Sequence, residues 1–204
     1  EYLTKPFNAK ELIARVASGV RILKLEEQLM QAQEQMEALA MHDSLTGLLN
    51  RRAINEYAEA EFNMAGRKDR TLSVILLDID HFKSVNDRFG HKFGDQALQQ
   101  VAKILLEDLR TYDRIGRWGG EEFILILPDT QLKDAATVAE RVRVRTAEMQ
   151  MSLENGGLFS VHISLGAACA TGQFPSLTRL IDAADQALYQ AKQTGRNRVC
   201  LFEP

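Results

Sequence analysis

The chain has 204 residues, of which 45% are hydrophobic and 26% are charged, and its formal net charge at pH 7 is -3. These values are typical of a soluble globular protein with one full domain and a smaller additional segment. The weak negative charge argues against broad electrostatic attraction to nucleic acid or to an acidic membrane, although it permits a local basic pocket. No apolar run approaches the roughly 20 residues needed to cross a bilayer, and no signal peptide is recognisable. We therefore expect a cytoplasmic protein with no nucleic acid and no membrane as partner.

The first residues predict a short turn before a helix. Lys5-Pro6 precedes Asn8, a suitable N-cap, and Glu11 follows three residues later as in a capping box. Residues 1–9 resemble the end of a response-regulator receiver domain, in which a Lys-Pro dipeptide closes the last strand; a chance turn is the alternative. The resemblance implies that the sequence is a fragment and that a receiver upstream of residue 1 controls it.

Residues 10–41 contain no proline and one glycine, and they carry two apolar stripes in different phases. The first stripe consists of Ile13, Val16, Val20 and Leu23. The second repeats at alternating spacings of three and four, through Ile22, Leu25, Leu29, Ala32, Met36 and Leu39. A narrow seam with polar flanks is typical of a coiled coil, so we predict a homodimer through this helix. The alternative is an amphipathic helix folded onto its own domain.

Helical and strand-like patterns alternate over residues 42–204, with a central hairpin. Helices are predicted over residues 51–65, 95–109, 131–149 and 176–193, and strands over residues 71–80, 159–170 and 197–202. This order predicts an α+β domain in which helices flank a mixed, mostly antiparallel sheet. Cys169 and Cys200 lie in strand-like runs and are predicted to be reduced thiols.

Two aspartates end a near-continuous aliphatic strand, T-L-S-V-I-L-L-D-I-D at residues 71–80. Because side chains alternate along a strand, Asp78 and Asp80 point to one face and Ile79 points to the other. A buried strand that ends in a carboxylate is suited to hold Mg²⁺ against a nucleotide triphosphate. For Asp80 we favour a structural alternative, in which it caps the following helix.

A Gly-Gly pair joins two apolar runs at residues 117–127, R-W-G-G-E-E-F-I-L-I-L. The pattern predicts a β-hairpin whose tip carries Gly119, Gly120, Glu121 and Glu122. Glycine lets a ligand approach the backbone closely, and adjacent acids are good ligands for hard cations. An ordinary glycine turn with solvated acids is an equal alternative for this stretch alone, and the acidic strand favours the chemical role.

These motifs together resemble the GGDEF family of diguanylate cyclases, here with Gly-Gly-Glu-Glu-Phe at residues 119–123. The resemblance covers about residues 40–202, and four further stretches and Gly94-Asp95 match in the family's order. The stretches are residues 42–52 (H-D-S-L-T-G-L-L-N-R-R), 78–91 (D-I-D-H-F-K-S-V-N-D-R-F-G-H), 163–166 (I-S-L-G) and 184–197 (A-D-Q-A-L-Y-Q-A-K-Q-T-G-R-N). The expected organisation is a receiver end at residues 1–9, a coiled-coil helix at 10–41 and a GGDEF domain at 42–204.

The reaction that the resemblance implies joins two GTP molecules into cyclic di-GMP and releases two pyrophosphates, so two chains must face each other. The expected ligands of Mg²⁺, or Mn²⁺, are Asp78, Glu121 and the carbonyl of Ile79. Glu122 is either a further metal ligand or the base that helps to deprotonate the attacking 3′-hydroxyl. Asp78, Glu121 and Glu122 are thus the expected catalytic residues.

The resemblance also implies the residues that bind GTP. Lys83, Lys192 and Arg196 match the positions at the triphosphate, where fixed positive charge complements the β- and γ-phosphates. For Lys192 alone, a solvated helix surface is the alternative. Phe82, Gly119 and Gly120 are also expected to contact GTP.

Asn86 and Asp95 match the family's guanine readers. A carboxylate accepts from the N1–H and the exocyclic amine of guanine, which adenine does not offer together, so Asp95 favours GTP over ATP. The structural alternative for Asp95 is an N-cap of a helix that begins at Gln96, and the two roles are compatible.

An R-x-x-D pattern, Arg110 to Asp113, precedes the hairpin tip and matches the family's product-inhibition site. Its arginine fork and its carboxylate are expected to bind cyclic di-GMP as an allosteric inhibitor, and Arg141 matches a supporting arginine. An arginine that some members supply from the partner subunit has no clear counterpart, since Met64 stands near that place.

Two other classes of function compete with a dimeric cyclase. The first is a binding module that senses GTP or cyclic di-GMP without catalysis, and the second is a stalk that only dimerises another domain. A retired enzyme is expected to have lost some of the matching residues, and none is lost here; they are Asp78, Glu121, Glu122, Lys83, Asn86 and Asp95. A stalk does not explain these acids and cations.

Overall fold

A computed structural model describes residues 9–68, 70–153, 156–170 and 174–203. The chain divides into two units, residues 1–41 and 42–204. The described part of the first unit is a single helix, α1 (Ala9–Met41), and its seam residues Ile22, Leu25, Leu29 and Met36 are exposed. The predicted receiver end at residues 1–8, with Asn8, lies outside the described residues, and Ala32 and Leu39 lie outside those whose side chains are described.

The second unit is built on a five-stranded sheet in the order β2-β3-β1-β6-β7. Its strands are β1 (Leu72–Ile79), β2 (Arg114–Arg117), β3 (Glu122–Pro128), β6 (Ile163–Ala170) and β7 (Val199–Leu201). β1 runs antiparallel to both β3 and β6, β2 runs antiparallel to β3, and only the β6–β7 pair is parallel among these neighbours. The predicted α+β fold with a mixed, mostly antiparallel sheet is confirmed. A separate two-stranded sheet consists of β4 (Met151–Ser152) and β5 (Leu158–Phe159).

Helices cover both faces of the sheet, because the side chains of its strands point alternately to the two faces and make both of them apolar. The helices are α2 (Arg51–Lys68), α3 (Phe82–Phe89), α4 (His91–Asp108), α5 (Leu132–Glu148) and α6 (Leu177–Gln193). Ile75 and Leu77 of β1 pack in one core with α3, α4 and α5, whereas Val74 and Leu76 pack in the other with α2 and α6. Asp78 continues the second series and is therefore directed to the α2 and α6 side of the sheet.

Close contact between α6 and β6 depends on Gly166. A Cβ added to Gly166 would collide with the backbone N of Leu188 and the backbone O of Ala184. Because backbone atoms cannot give way as a flexible side chain does, only glycine lets α6 lie this close to the sheet. The contact places the C-terminal end of α6 beside the end of β1.

The structure corrects several predicted boundaries. α4 begins at His91 rather than at Asp95, because Gly90 (φ 83°) ends α3 and stands directly before α4. Asp95 therefore lies within the helix and is not its N-cap. The strand predicted over residues 159–170 divides into β5 and β6, and α2 extends to Lys68. Within the described ranges, the search for a helix long and apolar enough to span a bilayer finds none.

Candidate active site

The predicted metal-binding acids meet at the end of β1. Asp78 lies opposite Glu122 of β3 in the antiparallel register, and the backbone N–H of Ile79 donates to the carbonyl of Glu121 at 3.3 Å. Asp78 is buried, whereas Glu121 and Glu122 are half-buried. The hairpin and β1 therefore bring together the four residues predicted to form a metal site, which are Asp78, Ile79, Glu121 and Glu122.

Burial and mutual repulsion disfavour the ionised forms of Asp78 and Glu121. Burial raises the pKa of Asp78 above its ordinary value, and the charges of Glu122 and Asp80 add to this, although Lys192 opposes it. Burial also raises the pKa of Glu121, and the charge of Asp78 adds to it. A nearby cation stabilises the ionised form of such carboxylates. Lys192 provides one, with its Nζ 2.8 Å from Asp78 Oδ2.

The acids suit a divalent cation chemically but are not assembled into a finished metal site. No group of three or more His, Cys, Asp or Glu side chains within the described ranges is gathered closely enough to hold a metal ion as it stands. Carboxylate and carbonyl oxygens are the ligands that Mg²⁺ prefers, and Mg²⁺ also takes ligands from substrate phosphates. Burial, with added repulsion from neighbouring carboxylates, raises the pKa values of Asp78 and Glu121, so a bound cation would favour their ionised forms.

A network centred on Arg117 fixes the hairpin tip. Arg117 Nη1 donates to both carboxylate oxygens of Asp43 at 3.1 Å, and its Nη2 donates to the carbonyl of Gly120 at 2.7 Å. The N–H of Trp118 donates to the carbonyl of Glu122 at 2.8 Å, which closes the turn. Asp43 also accepts from the backbone N–H and the hydroxyl of Thr46, which fixes the turn at residues 43–46.

The role of Arg117 was not predicted from the sequence. Arg117 binds the carboxylate of Asp43, 74 positions away, and no local sequence pattern predicts such a pair. Its place at the end of β2, two residues before Gly119, is the only signal in the sequence, because a partly buried charged residue at the inner end of a hairpin strand needs a partner.

The predicted triphosphate cations lie on three different segments. Lys83 is exposed on α3, Lys192 is half-buried near the end of α6, and Arg196 is exposed in the turn after α6. Lys192 is brought to Asp78, as described above. Arg196 lines a cavity of about 360 Å³ together with His81 and Ser84, next to the N-terminal end of α3. Phe82 is buried in the core, so its side chain anchors the start of α3.

Gly94 brings the predicted guanine readers close together. A Cβ added to Gly94 would collide with the side-chain amide of Asn86, so the amide packs directly against the backbone of α4. Asp95 is the next residue along α4, and its side chain is exposed. Asn86 of α3 and Asp95 of α4 thus flank the same helix junction, in an arrangement open to a ligand.

Asp80 is not a helix cap, and the role favoured for it from the sequence is wrong. The N-cap position of α3 is His81, and no side chain caps that helix by a hydrogen bond. Asp80 is buried, and its two oxygens accept from the hydroxyl of Ser164 and from the backbone N–H of Asn197. A cap requires a carboxylate near the first turn of the helix, and this one is directed to β6 and the turn after α6.

The R-x-x-D residues form a compact turn before β2. Asp113 is buried, and its Oδ2 accepts from the backbone N–H of Arg110 at 2.9 Å. Asp113 Oδ1 is buried with no hydrogen-bond partner among the described residues, and burial raises the pKa of this carboxyl. Arg110 and Asp113 line a cavity of about 460 Å³ with Leu109. Arg141 is bound instead to Asp108 at the end of α4, with Nη2 donating to the Asp108 carbonyl at 2.7 Å.

Comparison with known proteins agrees with this architecture. The family described as Diguanylate cyclase, GGDEF domain matches residues 40–198. The chain belongs to this family. Among curated proteins, it is 36% identical over 200 residues to Response regulator PleD of Caulobacter vibrioides, a match that covers 98% of this chain and 44% of PleD. It is 40% identical over 161 residues to Diguanylate cyclase DosC of Escherichia coli K12, covering 79% of this chain and 35% of DosC. The chain spans less than half the length of these curated relatives.

Solved structures are similar over the same region. The coiled coil and GGDEF domain of DgcB from Caulobacter crescentus, in complex with c-di-GMP, has a TM-score of 0.84 and 32% identity, and the match covers 93% of this chain and 98% of DgcB's. The active GGEEF domain of a diguanylate cyclase from Vibrio cholerae has a TM-score of 0.72 and 36% identity, over 77% of this chain and 99% of that one. Both relatives support the fold described above.

Proposed function

We propose that this chain is a diguanylate cyclase, a nucleotidyltransferase that condenses two GTP molecules into cyclic di-GMP and releases two pyrophosphates. The observation that carries the proposal is the convergence of Asp78, Glu121 and Glu122 with Lys192 at one end of the central strand. An acid cluster that faces a cation suits a phosphate group bridged by metal. Membership of the GGDEF family supports the same reaction.

Asp78, Glu121 and the carbonyl of Ile79 would hold Mg²⁺ or Mn²⁺, with Glu122 as a further candidate. Such an ion supplies charge neutralisation at the phosphates and makes loss of pyrophosphate easier. The alternative role for Glu122 is to accept the proton of the attacking 3′-hydroxyl, for which its position opposite Asp78 is suitable.

The remaining residues of the site bind and orient GTP. Lys83, Lys192 and Arg196 bind the β- and γ-phosphates by charge-assisted hydrogen bonds. The backbone at Phe82, Gly119 and Gly120 lies against the substrate, where the absence of a Cβ at the glycines permits close approach. Asn86 and Asp95 select guanine by hydrogen bonds to its edge.

A homodimer is needed because one domain binds one GTP and the reaction consumes two. In the proposed organisation, residues 10–41 form a coiled coil that pairs two chains, and residues 42–204 form the catalytic domain. The exposed apolar seam of Ile22, Leu25, Leu29 and Met36 supports pairing, because isolated exposed stripes of this kind are buried in coiled coils. The similarity to DgcB, whose solved structure includes a coiled coil, supports it too.

Control by an upstream receiver is part of the proposal. Residues 1–9 would be the end of that receiver, and the match to Response regulator PleD extends over 98% of this chain. Feedback inhibition by cyclic di-GMP would act at Arg110, Asp113 and Arg141. Asp113 Oδ1 has no hydrogen-bond partner in the part of the chain that the structure describes, and this supports the role, since guanine can supply an N–H donor.

The test is incubation of the purified chain with GTP and Mg²⁺, or with ATP and Mg²⁺, at several protein concentrations. Products are identified by mass spectrometry, with Asp78→Asn as the matched variant. We expect cyclic di-GMP from GTP alone, a specific activity that rises with concentration, and no product from Asp78→Asn. Saturable GTP binding without product at any concentration would instead support a sensor module.

A further inference from the structure

Asp80 follows β1 directly and connects the end of this strand to β6 and to the turn after α6. Only 7% of the residue is exposed. Oδ1 accepts a hydrogen bond of 2.7 Å from the Ser164 hydroxyl of β6, and Oδ2 accepts one of 2.9 Å from the backbone N–H of Asn197. A buried carboxylate with both oxygens satisfied is a strong, directional acceptor. Asp80 therefore fixes where the turn after α6 lies relative to β1.

The turn that Asp80 holds has an uncommon backbone. Arg196 and Asn197 both lie in the left-handed region, with φ of 59° and 45°. Asparagine tolerates this region, but arginine does so rarely, because its Cβ crowds the neighbouring carbonyl. Two such residues in succession persist only where surrounding contacts fix them. The conformation of Arg196 is therefore imposed by its neighbours rather than by its own preference.

Other contacts hold the same turn from different sides. The N–H of Arg196 donates to the carbonyl of Ala191 at 3.0 Å, which ties the turn to α6. Arg143 Nη1 of α5 donates to the side-chain oxygen of Asn197 at 2.9 Å. Asn197 is thus held by its side chain from α5 and by its backbone from Asp80, and of these two contacts the one with Asp80 comes from the residue that follows β1.

We propose that Asp80 is a positioning residue of the triphosphate site, which holds the turn at residues 196–197 so that Arg196 is presented to the phosphates. The inference rests on the proposed function. Asp78 is the second-last residue of β1, and Asp80 directly follows the last one, with the Asp80 N–H donating to the carbonyl of His162 at 2.9 Å. The end of β1 therefore carries the acid proposed for the metal and, through Asp80, sets where Arg196 lies relative to Asp78.

The first test measures binding, by calorimetry, of a non-hydrolysable GTP analogue and of GMP, which lacks the β- and γ-phosphates. Asp80→Ala should weaken binding of the analogue about tenfold and leave GMP binding within about twofold of the parent. Asp80→Asn should restore most of the affinity, because its oxygen can accept from Asn197 and its amide can donate to the Ser164 hydroxyl. Equal losses for both ligands would indicate a merely structural role and overturn the inference.

A double-mutant cycle with Arg196→Ala tests whether Asp80 acts through Arg196. In the Arg196→Ala background, Asp80→Ala should cause no further loss of affinity for the analogue. Additive losses would overturn the proposed route. If the unsubstituted chain fails to bind the analogue, the proposed function fails and this inference with it, whereas binding that is insensitive to Asp80→Ala overturns only the inference.

Amide hydrogen exchange gives a readout that does not require nucleotide. The N–H of Asn197 should be protected in the parent and in Asp80→Asn, and should exchange at least about tenfold faster in Asp80→Ala. Core amides of β1 and β6 report whether the fold is intact in each variant. Unchanged protection of Asn197 in Asp80→Ala would overturn the inference.

Discussion

Lys192 Nζ lies 2.8 Å from Asp78 Oδ2, so a cation proposed for the phosphates binds the acid proposed for the metal. The Asp78 side chain is 8% exposed and that of Lys192 is 31% exposed. A buried carboxylate needs a positive partner, and Lys192 provides one in the absence of other ligands. We predict that binding of nucleotide and metal would exchange these partners, so that Lys192 would bind phosphate and Asp78 would be free to hold the metal.

This exchange predicts opposite effects of Lys192→Met on the two ligands. In the nucleotide-free chain, loss of the competing ammonium should raise the affinity for Mn²⁺ a few-fold, because Asp78 is no longer paired. Affinity for a GTP analogue should fall about tenfold through loss of a charge-assisted contact. Titration with Mn²⁺ by electron paramagnetic resonance and with the analogue by calorimetry measures both, with the exposed Lys103→Met on α4 as the control. A lower Mn²⁺ affinity in Lys192→Met would contradict the exchange.

The Asp43–Arg117 pair predicts a pH-dependent contribution to stability. Burial raises the pKa of Asp43, but hydrogen bonds from Thr46 and Arg117 outweigh it and hold the pKa below its ordinary value of 3.8. A carboxyl with a lowered pKa stabilises the fold above its unfolded-state pKa, and this stabilisation is lost as the pH falls through the folded-state pKa. Asp43→Asn should therefore lower the free energy of unfolding by about 2 kcal/mol near neutral pH, and the difference should shrink below about pH 4.

Urea denaturation across this pH range measures the difference. Asp129→Asn is the matched control, because Asp129 pairs with Arg70 at 3.1 Å at a site where both side chains are about half exposed. The control should change the free energy of unfolding by less than about 0.5 kcal/mol. A loss in Asp43→Asn that persists undiminished in acid would show that the carboxylate charge is not the cause.

Features set by neighbouring residues could be predicted from the sequence, whereas contacts between distant positions could not. The acidic strand and the hairpin could each be predicted, because strand alternation and a tight Gly-Gly turn are local patterns, whereas the family resemblance was needed to place Asp78 and the hairpin acids in one site. The cap favoured for Asp80 and the cap considered as an alternative for Asp95 were wrong, because each depended on where a helix begins. His81, with φ of 57°, precedes α3, and Gly90, with φ of 83°, precedes α4; neither angle can be read from the residue type. The contacts of Arg117 and Asp80 join positions distant in sequence, where no period operates.

The seam of α1 predicts that charge placed on it prevents dimer formation. Leu25→Glu combined with Leu29→Glu puts like charges opposite one another in a coiled coil and should yield a monomer by sedimentation. Specific activity should then fall steeply at every protein concentration, because two sites no longer meet. Gln28→Glu with Gln31→Glu adds the same charge on the exposed polar flank and should leave the dimer intact. A dimer that survives the Leu25 and Leu29 substitutions would assign pairing to another surface.

The turn at residues 110–113 predicts a separable loss of feedback inhibition. Arg110 Nη1 donates to the Tyr112 hydroxyl at 2.8 Å, and its guanidinium lies 5.8 Å from the centre of the Tyr112 ring, so the exposed side chain is held ready for a ligand. Arg110→Ala should weaken inhibition by cyclic di-GMP at least about tenfold and leave the initial rate unchanged. Lys133→Ala, which removes an exposed positive charge on α5, should leave inhibition as in the parent.

Asp113→Asn distinguishes ligand contact from support of the turn. The asparagine oxygen can still accept from the N–H of Arg110, but its amide replaces the unpartnered Oδ1 and presents donors to the donor edge of guanine. Inhibition should therefore be lost while the fold and the initial rate are kept. Initial rates titrated with cyclic di-GMP, together with calorimetry of its binding, measure both effects. Full inhibition of Asp113→Asn would mean that the free oxygen does not contact the inhibitor, and the R-x-x-D turn would then act only through Arg110.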